Sequence, residues 1–218
     1  MPPAARVTDM TGHGPPLNPG PGCPTVLIGF MPAWRALPAG VGPAVESASN
    51  AMNTFMSSPV LTPANATPQL VQIQTGLTQV AGAAAAHGNP AAAATAAGAS
   101  ATLVATNVAL TATWTAASAI PGGQPAATQA YTEGIKAAAS AAASSVFSTL
   151  AAVMNMPDMH ICPIPCPIPP HGPGFVTKGS STVIIGNLPA ARQNDKVFEA
   201  CGGADPIALG CMTVQIGD

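Results

Sequence analysis

Met159-His160-Ile161-Cys162-Pro163 opens a stretch that passes Pro170-His171-Gly172 and Gly179-Ser180-Ser181-Thr182-Val183-Ile184-Ile185-Gly186. It continues through Pro189-Ala190-Ala191-Arg192 to Glu199-Ala200-Cys201-Gly202-Gly203. Histidine and cysteine flank a short β-branched run, and Pro or Gly punctuates the gaps. Such runs bounded by breakers form short strands and turns. The pattern reads as a metal-pinned β structure, because so small a unit cannot hold itself by an apolar core alone.

Two phrases of this stretch recur. Gly-(Cys/Ser)-x-Thr-Val-x-Ile-Gly occurs at residues 22–29, 179–186 and 210–217. Pro-Ala-Ala-Arg-x-x-Asp occurs at 3–9 and 189–195, and Pro32-Ala33-Trp34-Arg35 is a variant after the first strand phrase. The second and third strand phrases start 31 residues apart, which marks one supersecondary unit used several times. Three copies around an axis imply pseudo-threefold symmetry. The first and second phrases start 157 residues apart, so residues 37–156 are an insertion.

The insertion differs in composition. It is rich in Ala, Thr and Ser, and no Asp, Glu, Lys or Arg occurs from Ser47 to Thr132. Breakers divide it into helical pieces at 43–58, 67–86, 89–119 and 124–154. Thr67-Pro68 and Asn89-Pro90 read as helix starts, each a capping residue followed by Pro. Residues 98–120 are long enough for a bilayer, which needs about 20. Their many Thr and Ser residues and Asn107 weaken that reading, and favour soluble or partner-covered helices. An insertion on the side of the β unit adds little closure entropy, so its removal is expected to leave a folded core.

Composition excludes some functions. Of 218 residues, Lys and Arg number 6 against 8 Asp and Glu, a formal charge of −2, and only 6% are charged, where about 25% is usual. No basic footprint for nucleic acid exists. So uncharged a surface favours burial against partners. Residues 1–22 contain Pro and Gly but no apolar signal-type run, and the expectation is assembly in the cytoplasm. There the five Cys are reduced thiols or metal ligands.

The ligand candidates follow the repeats. Asp9 leads to His13, Asp158 to His160 and Asp195 to Cys201, and His171 lies on the return loop of the second repeat. Three imidazoles and a thiolate suit one tetrahedral Zn²⁺ per chain, in a closed structural site with no open position for catalysis. Cys162 and Cys166 lie among Pro163, Pro165 and Pro167 and read as small buried residues. Cys23 and Cys211 stand where Ser180 stands in the other strand phrase, and read as packing residues. Asp9, Asp158 and Asp195 either support ligand imidazoles or cap turns. Nucleophile-elbow, P-loop, zincin and dinucleotide-binding signatures are all absent from the sequence, so no enzyme is expected.

The repeated Pro-Ala-Ala-Arg, Asp-x-His-x-Cys-Pro at 158–163, Cys201-Gly202-Gly203 and Thr-Val-x-Ile-Gly closely resemble the PAAR-repeat family. The resemblance covers essentially all of the chain outside 37–156. It implies a mainly β cone of three short repeats, formed by residues 1–36 and 157–218, with an Ala-rich helical insertion at 37–156. It also implies zinc near the apex, held by His13, His160, His171 and Cys201. By this resemblance the protein caps a trimeric VgrG-type spike of a contractile injection system such as type VI secretion. It would sharpen that spike for puncture of a target membrane and leave the cell with it. The helices would then dock an effector or chaperone, or act on membranes themselves.

Overall fold

The computed structural model describes residues 1–88, 90–153, 158–165 and 170–217. Two hairpins are built from the strand phrases. β2 (Cys23–Ile28) pairs with β3 (Met31–Ala33), and β6 (Ile184–Ile185) pairs with β7 (Leu188–Pro189), both antiparallel. Their two-residue turns, Gly29-Phe30 and Gly186-Asn187, have positive φ at both positions. That is the type I′ geometry whose twist matches a hairpin. Among the described residues the third strand phrase forms no hairpin with a following strand. Instead β10 (Cys211–Gln215) pairs with β1 (Pro3–Ala4) at the other end of the chain.

The two hairpins and the β1–β10 pair meet through one set of bonds. Ala5 N–H donates to Ala191 O, Ala191 N–H to Trp34 O, and Trp34 N–H to Ala5 O, at 2.9–3.0 Å. Each of these residues precedes the Arg of its phrase. Ile28, Ile185 and Ile216 are buried in one cluster with Ala4, Ala33 and Ala190. Cys23, Ser180 and Cys211 are buried too, and each lies within hydrogen-bonding distance of the Thr two residues on, Thr25, Thr182 and Thr213. The packing role read for the two cysteines matches this arrangement.

The three aspartates do not face imidazoles. Asp9 accepts from the backbone N–H and guanidinium of Arg6, Asp158 from those of Arg35, and Asp195 from those of Arg192. The Arg6–Asp9 and Arg192–Asp195 clamps each fix the turn after their phrase. Arg35 finds its partner 123 residues away, so helices lie between the two halves of one clamp.

Those helices are α1 (Gly42–Ser57), α2 (Pro63–Ala86), α3 (Pro90–Ser118) and α4 (Gln124–Val153). They hold more residues than the strands do, so "mainly β" suits only the part outside them. α2 starts at Pro63 rather than at Thr67-Pro68. Thr62 N–H donates to Asn65 Oδ1 at 2.8 Å and Pro63 takes the first helical position, which leaves Pro68 inside the helix. Asn89 and Met154 lie outside the described residues.

β4 (His160–Pro165), β5 (Pro170–Val176), β8 (Lys196–Glu199) and β9 (Gly203–Pro206) form an antiparallel four-stranded sheet in that order. The helices share a core with it. Phe175, Phe198, Ala200 and Cys201 belong to the same buried cluster as Phe55, Leu77, Ile135 and Phe147. The expectation that the helices could be removed from an intact β unit therefore meets a shared core.

Candidate metal centre

Strand alternation builds the centre. His160 and Cys162 lie two apart on β4 with Ile161 exposed between them, so both project to one face of the strand. Gly174 of β5 opposes His160 and also Glu199 of β8, and Glu199 in turn opposes Gly203 of β9. Asp205 sits two residues after Gly203 and shares its buried face. His13 arrives on a loop pinned to β9. Gly12 N–H donates to Pro206 O at 2.7 Å, and His13 N–H donates to Asp205 Oδ1 at 2.9 Å.

The donors converge as two groups. His13, Cys162, His171 and Glu199 each place a ligand atom within 4.8 Å of the others, and His160, Glu199 and Asp205 do the same. Cys162 Sγ lies 3.6 Å from His171 Nδ1 and 3.9 Å from His13 Nδ1. Glu199 Oε2 lies 2.7 Å from His171 Nδ1, and Oε1 lies 3.3 Å from His13 Nδ1. The imidazoles of His13 and His171 meet edge to face with centroids 4.9 Å apart. A Cβ at Gly202 would overlap Glu199 Oε2 and His171 Nδ1, so the Cys-Gly-Gly phrase admits no side chain there.

The sequence expects His13, His160, His171 and Cys201 in one site; here His13 and His171 share a donor group with the thiol of Cys162, and His160 lies in the adjoining group, linked to it through Glu199. Cys201 joins neither donor group among the described residues. Its Sγ donates to Ser140 Oγ of α4 at 3.2 Å, while its N–H donates to His171 O at 3.0 Å. The physical reason is the turn that begins after Glu199. It carries the Cys201 thiol to the helical core and leaves its backbone to hold the His171 strand. Cys166 lies outside the described residues.

Electrostatics fit a cation. Burial pushes the Cys162 thiol up to about 12, raises Glu199 and lowers His160, so the protein alone favours neutral groups. Glu199 Oε2 and Asp205 Oδ2 are buried without a hydrogen-bond partner, and the imidazole of His160 is fully buried beside them. Glu199 Oε2 is near His171 without hydrogen-bond geometry. Unpaired buried polar atoms are costly, and a metal satisfies such donors while favouring their deprotonated forms. The residues present therefore fit a metal ion.

The family model described as PAAR motif matches residues 122–204 and, in a second overlapping match, 168–218. No curated protein and no solved structure gives a significant match to the chain.

Proposed function

From a chain that belongs to the PAAR-repeat family, we propose a non-enzymatic, zinc-stapled tip for the spike of a type VI secretion-like injection machine. The ring of hydrogen bonds among Ala5, Trp34 and Ala191 carries this reading. Three strand pairs tied by three equivalent bonds make a pseudo-threefold unit, and such a unit can seat on a threefold spike as one tip on three chains. The outward position of each strand phrase supplies a contact surface. Leu27 and Ile184 are exposed there, and Met212 and Val214 join them on the third phrase. An exposed apolar patch of this kind marks an interaction site.

Zinc is the proposed ion because thiolate and imidazole donors in a closed, buried site suit it. The His13, Cys162, His171 and Glu199 set supplies four donors. The tip assembles in the cytoplasm and leaves with the spike to puncture a target membrane. A second reading concerns the helices. α3 and α4 are long and apolar enough to cross a membrane, and only 11% of the apolar window of α3 is buried. This favours helices that act on a membrane or dock an effector or chaperone.

Purified tip mixed with a trimeric VgrG-type spike tests the proposal. Sizing with light scattering should find one tip per trimer, and Leu27→Asp with Ile184→Asp should abolish the complex while leaving the tip folded. A tip that stays separate from the trimer, or binds at three per trimer, would sink it. Liposome leakage by the full-length protein tests the second reading, and intact liposomes exclude the membrane role.

A further inference from the structure

We propose that Phe30 is the anchor by which this tip grips its trimeric spike, seated in one of three equivalent apolar pockets at the end of that spike. This rests on the spike-tip reading above and deepens it by naming a residue and the chemistry of its pocket. Phe30 is 94% exposed in the turn between β2 and β3, and its φ of 65° lies in the left-handed region. A bulky residue there is an outlier, and backbone strain of this kind collects at sites of function. The matching turn between β6 and β7 carries Asn187, also at a φ of 65°, and Asn visits that conformation readily. The fold accepts Asn at this place, yet the first hairpin presents an aromatic ring to solvent.

Both turns are seated alike. A Cβ at Gly29 would meet Arg6 Nη1 at 2.9 Å and Cys211 Sγ at 3.1 Å, and one at Gly186 would meet Arg35 Nη1 at 3.1 Å and Cys23 Sγ at 3.2 Å. Each turn therefore rests on an arginine that an aspartate clamps. Phe30 stands on a fixed base, and an anchor already held in place loses little freedom on docking. Aromatic side chains are enriched at the centres of protein interfaces.

The surroundings of Phe30 point to the spike. Leu27 of the same hairpin and Ile184 of the second are both exposed on the surface read above as the spike contact. The corresponding residue of the third phrase is Gln215, exposed but polar. The apolar character of the contact is thus concentrated on the first hairpin. One tip offers one aromatic ring to a trimer with three identical places for it.

Affinity of the full-length tip for a trimeric VgrG-type spike, measured by biolayer interferometry, tests the proposal. Phe30→Asn should weaken binding at least about tenfold, while its melting temperature equals or exceeds that of the wild type, because the left-handed position suits Asn. Adding Asn187→Phe to Phe30→Asn should restore the affinity, since the pockets of a trimer are equivalent. Unchanged affinity in Phe30→Asn overturns the proposal, and so does a lowered melting temperature, which gives Phe30 a structural role. A Phe30→Asn tip that keeps the trimer but loses binding to phosphatidylcholine vesicles, or loses self-association on sizing, assigns the ring to lipid or to a second copy instead. A folded double variant that stays weak overturns the equivalence of the pockets. Wild-type tip that fails to bind the trimer overturns the spike-tip reading itself and this inference with it.

Discussion

Cys162 and Cys201 show how one thiol is chosen over another. Both are buried, but β4 places Cys162 on the face of His160, while the turn after β8 aims Cys201 at Ser140. Cys162→Ser is therefore expected to lose its zinc, whereas Cys201→Ser should retain its full metal content. Elemental analysis of the two purified variants decides this, and the reverse result would return the ligand role to Cys201. The three histidines were legible because each follows an Asp-led loop or its return. Cys162 was masked by its neighbouring prolines, although its two-residue spacing from His160 was a usable signal. Glu199 and Asp205 were not legible, since their convergence depends on the β8–β9 register. The Arg clamps also differ by burial. Arg35 and Asp158 side chains are 9% and 1% exposed, against 23% for Arg6. Asp158→Ala should cost about 3–5 kcal/mol and Asp9→Ala about 1–3 kcal/mol, as measured by denaturant unfolding.

At the scale of elements, the helices buttress the centre. Ser49 of α1 donates to Glu199 O at 2.6 Å, and Phe147 of α4 packs 6.1 Å, centroid to centroid, from Phe175 of β5. Phe147→Ala should destabilise the fold by about 3–5 kcal/mol and lower zinc affinity as well, because β5 carries His171. Thermal melts and competition with a chelator dye measure the two effects, and unchanged metal affinity would uncouple helices from centre. Replacing residues 37–156 by a short link should now give insoluble protein, since Phe175 and Phe198 lose their cover. A soluble, zinc-loaded deletion variant would show that the β unit stands alone. Helices and strands were readable from breakers and repeated phrases. Their shared core was not, because neither the Ala-rich faces nor the phenylalanines of β5 and β8 name their partners.

For the whole molecule, metal is expected to decide stability. An ion that binds the folded chain and not the unfolded one raises stability by mass action, so chelation should lower the melting transition by tens of degrees. A transition unmoved by chelator would mean that the hairpins and helices suffice. The β1–β10 pair has another consequence. Pro3 opposes Gln215, and Ile216 N–H donates to Pro2 O at 3.0 Å, so this strand pair joins residues more than 200 apart in sequence. It cannot close on the ribosome until Gln215 has emerged, and contacts of such long sequence separation form slowly. In space, residues 2 to 216 form a nearly closed loop. A circular permutant that links Gly217 to Met1 and opens at the exposed Gly122 turn, away from every metal donor, should bind the same metal, as chelator competition would measure.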